Sequence, residues 1–414
     1  MRRLLFLLLI FLLALPLLGR SFTGRPMMFA GSYMMRAHGS EAMYWNPALL
    51  NVHNIDVWWP LLDTGMMISN NTFDLEFYNR IMEKGQISNE DKDLLIKKMD
   101  GSLRLQMLAQ TSLLGVNMGG VALSSSFHLC NKAAFSENYL KLLLYGNAED
   151  EYTFKHRHNN LASLSFADVT VGLGDIALPL PEKYPEVKFG WSGSFLLGIH
   201  EMKTTKFNGV LRSDFDGFHL SQDVVMRKGI GGFGFKGMVG FAGKLDDNLK
   251  VGLTLDNILG NIQWVLGKEE THYKITADSV YVANLEDAYI VRKQEDFKIK
   301  SYSTRFPMEL NLGALYDAKM VSLSADIKQG FGESQLTSKT PNLSFGAEFK
   351  QLSFLPIRVG FSTGNSTTPW RVAYSVGLRA KPIELSLGMQ SINSLFPGYK
   401  TKGLSFGFSF RTGI

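Results

Sequence analysis

The sequence predicts an all-β fold: a transmembrane antiparallel β-barrel of about 14 strands (14–16), preceded by an N-terminal segment that lies between the leader and the first strong strand. The first observation behind this is period-two alternation. Leu343, Phe345, Ala347 and Phe349 fall on one side of a strand, and Ser344, Gly346, Glu348 and Lys350 on the other. The pattern recurs at 308–316, 321–328, 372–378, 383–389 and 404–410. The second observation is the spacing of these runs: links at 317–320, 350–356 and 379–382 are short, whereas those at 328–342, 362–371 and 390–403 are longer. A soluble β-sandwich also alternates, but short turns at one end and long loops at the other mark an up-and-down barrel in an outer membrane. The third is an export leader on a chain with no later apolar run long enough to cross a bilayer as a helix.

Composition agrees. With 45% hydrophobic and 20% charged residues in 414, the chain is too mixed for a bundle of membrane helices and too ordered for a disordered one. A single Cys excludes an internal disulfide framework and a zinc cluster of several thiolates. The net charge of +5 falls when Arg2, Arg3 and Arg20 leave with the leader, so no nucleic-acid partner is expected.

From the N-terminus, Arg2-Arg3, the apolar run 4–15, Pro16 and Gly19-Arg20-Ser21 read as a signal peptide over residues 1–21. The alternative, a retained anchor, has a short apolar run for a span. Residues 55–414 are assigned to the barrel, and residues 22–54 stand between leader and barrel; the resemblance described below implies that they form a plug or hatch. Within the barrel, 79–100 turns polar and helical, with Ser88 as candidate N-cap, Asp91 three residues on, an apolar cluster at Leu94, Leu95, Ile96 and Met99, and Gly101 as the stop. Strands rich in Gly and aromatics are expected at 188–200, 231–242 and 249–259. The charged stretch 271–300, with strand-like pieces at 280–283 and 288–291, reads as a long surface hairpin. If the apolar faces meet lipid, Glu309, Asp326, Glu348, Arg379 and Glu384 face the lumen, and the short links lie on the periplasmic side. Trp58, Trp59, Trp191, Trp264 and Trp370 fall near inferred strand ends or loops, as interface-seeking aromatics do.

Other motifs read plainly. Gly229 to Gly234 satisfies G-x-G-x-x-G, but a strand rather than a helix follows, so the glycines read as close backbone approaches in a barrel wall. His128 with Cys130, and His156 with His158, fall short of a converging metal-ligand set. Asp214, Asp216 and Gly217 lack the later glutamate of an EF-hand and read as a turn. No G-x-S-x-G elbow occurs, and neither enzyme activity nor a cofactor is expected.

Between leader and first strong strand stand Ala30-Gly31 and Ala42-Met43-Tyr44-Trp45-Asn46-Pro47-Ala48-Leu49-Leu50. Here the chain resembles the FadL family of outer-membrane transporters of hydrophobic compounds, whose small-residue N-terminal stretch leads to an aromatic-Asn-Pro-Ala motif in a hatch folded into the barrel. Asn-Pro also suits an ordinary tight turn, because Pro fixes φ and Asn hydrogen-bonds neighbouring backbone. Residues 231–264 and Leu355-Pro356-Ile357-Arg358-Val359-Gly360 are similar to strand-turn segments of FadL-like and PorV-like barrels. Such barrels usually end on an aromatic residue, whereas this chain runs past Phe410 to Ile414. The resemblance implies a monomeric barrel in contact with lipid in the bacterial outer membrane. It would pass hydrophobic or amphiphilic small molecules by diffusion, with Tyr44, Trp45, Asn46, Pro47 and Ala48 as hatch residues. The alternative it implies is a PorV-like scaffold or shuttle that binds secreted-protein partners through its long loops. Ligand-lining residues are not assigned from the sequence.

Overall fold

The computed structural model describes residues 23–50, 57–58, 63–85, 87–147, 151–181, 185–215, 217–280, 290–380 and 382–412. The expected signal peptide lies outside them. Strand segments among the described residues form one antiparallel sheet that closes into a barrel of 14 strands. These are β1 (Asp63–Asn70), β2 (Ser102–Met118), β3 (Val121–Ser136), β4 (Asn160–Ala177), β5 (Val187–Asp214), β6 (Gly217–Lys244) and β7 (Leu249–Val280). They continue with β8 (Glu309–Asp317), β9 (Val321–Gly330), β10 (Asn342–Phe349), β11 (Ile357–Thr363), β12 (Trp370–Ala380), β13 (Ile383–Ile392) and β14 (Gly403–Thr412). Each pairs with the next in sequence, and closure comes from β14 against β1, with Phe406 opposite Met66. Shorter pieces extend these strands: Glu151–Lys155 pairs with β5 beyond the end of β4, while Ile290–Lys298 and Tyr302–Arg305 pair with β7 beyond the end of β8.

The alternation decides which face points out. Phe345, Leu387 and Phe406 are 52%, 60% and 50% exposed on the outer surface, whereas Glu309, Asp326 and Glu348 on the other face are buried. A sandwich would bury the first set, and a barrel in lipid exposes it. The expected links hold in part: tight connections join β8 to β9 and β12 to β13 and long ones follow β9 and β13, but the link from β10 to β11 (350–356) is no shorter than the one from β11 to β12 (364–369), so the expected contrast fails there.

The helical insert is two helices, Leu75–Lys84 and Asn89–Lys98, so it starts earlier than expected. Ser88 caps the second by accepting from the Asp91 N–H, and Gly101 follows with a left-handed φ of +77°. A further helix, Glu137–Tyr145, was not anticipated; it follows β3 with no intervening residue, and the signal that could have found it is the polar run Ser136-Glu137-Asn138, in which Ser136 caps the helix by accepting from the Tyr139 N–H.

Three strands expected at 188–200, 231–242 and 249–259 are only the lower parts of β5, β6 and β7, which run 28, 28 and 32 residues. Crossing a bilayer takes roughly 9–11 residues. The remainder stands beyond the barrel, where most side chains on both faces are at least partly exposed and strict alternation is not required, with Thr204, Val225 and Thr271 among the few buried. Cross-strand ion pairs such as Lys206–Asp223 and Lys228–Glu269, both 2.6 Å, replace the alternation there. The hairpin read over 271–300 is present, pairing Ala277 with Ile290 down to Glu269 with Lys298; residues 281–289 lie outside the described residues. One Trp assignment is overturned: Trp264 is fully buried rather than at an interface, whereas Trp191 is 43% exposed on the outer wall. The side chains of Trp58 and Trp59 lie outside the described residues.

Candidate channel interior

The inward face of the wall is small and polar, with Ser124, Ser126, Thr170, Ser192, Ser194, Ser322 and Ser324 all buried. Residues 23–50 pack against it as short helical turns: Gly24–Met27, Gly39–Glu41, Ala42–Trp45 and Pro47–Leu49. Wall glycines make this contact close. A Cβ on Gly174 of β4 would lie 1.8 Å from the Pro47 carbonyl oxygen, one on Gly240 of β6 2.2 Å from Asn46 Oδ1, and one on Gly360 of β11 2.4 Å from the Phe29 carbonyl carbon. Three separate parts of the wall therefore give up side chains where this segment's backbone or side chains press on them.

The five residues singled out in the sequence lie together. Tyr44 donates its hydroxyl to Asp168 Oδ1 at 2.7 Å. Asp168 is also paired with His128, whose ring stacks on Phe166 at 4.5 Å. Trp45 meets Tyr33 edge-on, ring centres 5.5 Å apart. Asn46 is fully buried and holds both sides of a corner: Oδ1 accepts from the Ala48 N–H at 3.1 Å, and Nδ2 donates to the Phe241 carbonyl of β6 at 3.0 Å. Pro47 opens the following turn, where its missing N–H costs nothing, and Ala48 is buried behind it. His128 and Cys130, read from the sequence as falling short of a metal-ligand set, have other partners here: His128 pairs with Asp168, and the Cys130 thiol donates to the Gln335 carbonyl at 3.1 Å.

Ionic contacts tie the same segment to the wall. Arg411 of β14 donates to Glu41 Oε1 at 2.9 Å, and Tyr33 donates to the same oxygen at 2.5 Å. Burial pushes the Glu41 carboxyl up, but Arg411, His38 and Arg25 outweigh it and hold the group at about 2. Arg36 reaches Ser324 Oγ and the Ser322 carbonyl, each at 2.8 Å, and the Met34 N–H donates to Asp326 Oδ2 at 2.9 Å. The expected lumenal charges on β10, β12 and β13 form one network around buried Arg358, which bonds Glu348 and Glu384, each at 2.6 Å, with Arg379 on Glu384 at 3.0 Å.

Toward the long-loop end, the interior changes character. Leu164, Phe166, Leu196, Ile262, Trp264 and Phe306 form one buried apolar cluster, with Leu336 of the β9–β10 loop against it. Trp264 satisfies its one polar atom by donating to Thr304 Oγ1 at 2.9 Å. Beside the cluster, the wall's regular ladder is interrupted, and the irregular stretch is held by two hydrogen bonds, the Phe306 N–H donating to the Gly260 carbonyl at 2.8 Å and Asn257 Nδ2 to the Pro307 carbonyl at 3.1 Å. Arg305 pairs with Asn261 and Glu309 with Asp256, leaving 306–308 facing 257–260, where Asn257 and Leu259 take left-handed φ values of +57° and +55°. At this break Phe306 turns inward, 5.6 Å from Phe166, and Leu259 stands 83% exposed outside. Sequence reasoning missed the cluster, although counting by twos from outward-facing Leu253 and Leu255 places Trp264 inside.

With this geometry in hand, two solved structures are informative. The toluene transporter TodX of P. putida and the toluene transporter TbuX of Ralstonia pickettii each match at 11% identity and a TM-score of 0.53, over 95% of this chain and 99% of theirs. The chain shares their fold. No protein-family model matches the sequence, and comparison with curated proteins finds no relative. At 11% identity the likeness is one of backbone architecture, and the chemistry of the interior rests on the side chains just described.

Proposed function

We propose that the protein is an outer-membrane channel through which hydrophobic or amphiphilic small molecules diffuse, with residues 23–50 as its hatch. The observation that carries this is the buried cluster of Leu164, Phe166, Leu196, Ile262, Trp264 and Phe306, set inside a polar barrel and next to a break in its wall. A polar pore has no use for such a patch, whereas an apolar solute does. In this reading a solute enters between the extracellular loops and inserts among the buried side chains around Trp264 and Phe306, which part to admit it. It leaves sideways through the break at 257–260 and 306–308, or downward once the corner at Tyr44, Trp45, Asn46, Pro47 and Ala48 undocks. Passage is diffusive and involves no chemical step. A signal peptide over 1–21 and a location in lipid complete the reading, and the outward apolar wall supports the latter. None of the comparisons adds support to a scaffold for secreted proteins.

The test uses toluene, the compound in the names of TodX and TbuX, as probe in liposomes. Protein lacking residues 39–50, folded as judged by resistance to unfolding in detergent, is expected to pass toluene at a changed rate. Trp264→Ala is expected to weaken retention of the probe. Unchanged flux in the deletion protein removes the hatch; unchanged probe retention in Trp264→Ala removes the apolar site.

A further inference from the structure

We infer that the strand Ile290–Lys298 is a docking edge for a second copy of this chain, joined antiparallel about a two-fold axis at Gln294. Beyond the barrel, Glu151–Lys155, the outer parts of β5, β6 and β7, and Ile290–Lys298 form an open-edged extension of the same sheet. Ile290–Lys298 is its last strand. It pairs with 269–277 on one side, its other edge carries no strand among the described residues, and every residue from 291 to 298 is exposed. A nine-residue open edge is a template for strand addition unless its side chains forbid it.

Here the side chains specify the partner. The order Val291, Arg292, Lys293, Gln294, Glu295, Asp296, Phe297 reads as its own complement when reversed. About an axis at Gln294, Arg292 faces Asp296, Lys293 faces Glu295 and Val291 faces Phe297, and the symmetry makes each pair twice. A slip of one residue leaves one unlike-charge pair per half, Arg292 with Glu295 or Lys293 with Asp296. A slip of two sets Lys293 on Lys293 or Glu295 on Glu295. Within its own sheet Lys293 stands opposite Lys274, so its cross-strand neighbour repels it and a partner's Glu295 would relieve that. The sheet also bends away from the wall's regular ladder: Gly231 and Gly267 take φ values of +72° and +50° beside the paired Ile230 and Leu266, and the register shifts between Lys228 and Ile230. The axis stands normal to the sheet. Two copies therefore share a membrane where the bent sheet lies over its surface, and face each other from two membranes where it stands upright. The expectation of a monomer, taken from the family resemblance, does not consider this edge.

Sedimentation of the full-length protein in detergent, which allows either arrangement, tests the pairing. The wild type is expected to reach a two-barrel mass as concentration rises. Lys293→Glu and Glu295→Lys alone each place like charges together twice and are expected to weaken self-association on the order of tenfold or more. The double variant, and an equimolar mixture of the two single variants, are expected to recover it. Gln294→Cys is expected to form a disulfide-linked dimer, because the axis brings the two Cα atoms within bonding range, and Lys298→Cys is not. A single-barrel mass for the wild type at every concentration, failure of the charge swap to restore association, or equal cross-linking at 294 and 298 overturns the inference.

Discussion

Removing the Asn46 amide is the sharpest probe of the corner that holds the N-terminal segment. Asn46→Ala deletes two buried hydrogen bonds, one to the Ala48 N–H at 3.1 Å and one to the Phe241 carbonyl at 3.0 Å. Each is worth about 1 kcal/mol, and leaving buried partners unsatisfied adds to the loss, so about 2–3 kcal/mol of docking energy disappears. That corresponds to an undocked population raised about 30- to 150-fold. Hydrogen exchange of the peptide spanning 42–50 should accelerate by that factor, and toluene flux in liposomes should change with it. The wall offers an independent partner. A Cβ on Gly240 would lie 2.2 Å from Asn46 Oδ1, so Gly240→Ala should undock the same corner from the other side. In the Asn46→Ala background the struck atom is gone, and the second substitution should cost less than it does alone. Wild-type exchange and wild-type flux in Asn46→Ala would refute the reasoning, as would strict additivity of the two substitutions.

Three further outcomes are expected. Tyr44→Phe loses the bond to the Asp168 carboxylate at 2.7 Å, worth about 1.5–3 kcal/mol for a charged acceptor, and should raise exchange at 42–46 without altering barrel stability. Glu41 is held at about 2 against an ordinary 4.5, so its contribution to docking is complete above pH 4.5 and is lost as pH falls through about 2; cleavage of residues 23–50 by pepsin should rise over that window and become flat in Glu41→Gln. Leu387→Arg places a charge on the outer wall and should cost about 2–4 kcal/mol in folding into lipid vesicles, measured by denaturant titration; a neutral effect would contradict an apolar face turned to acyl chains.

How far the fold was legible depended on where each strand lies. From Leu343 to Phe349 one face meets an apolar surrounding and the other a polar interior, and the alternation states both in the sequence. From Lys203 to Lys228 most side chains on both faces are at least partly exposed, the alternation is lost, and so was the strand in the sequence. Asn46-Pro47-Ala48 was readable because its geometry is local: an amide that accepts from the N–H two residues on, and a proline placed where no donor is needed. Its seat was not readable. Gly174 and Gly240 look like any strand glycine until Pro47 and Asn46 lie across them, and the contact of Glu41 with Arg411 spans 370 residues.

The difference between seat and cluster bears on how such an interior could open. The N-terminal segment meets the wall through hydrogen bonds, ion pairs and glycine gaps, contacts that are individually modest because water can replace many of them once the segment moves. The six apolar side chains beyond it gain from each other and from an apolar guest, and water cannot substitute for either. Phe166 touches both systems, stacking on His128, which pairs with Asp168, the acceptor of Tyr44, while its ring lies against Phe306 at the wall break. A solute that displaces Phe166 would therefore act on the corner and on the side opening through one ring. Phe166→Ala should then uncouple them, leaving exchange at 42–50 insensitive to added toluene, whereas in the wild type that exchange rises with it. Equal sensitivity in both proteins would mean that the two openings answer to different contacts.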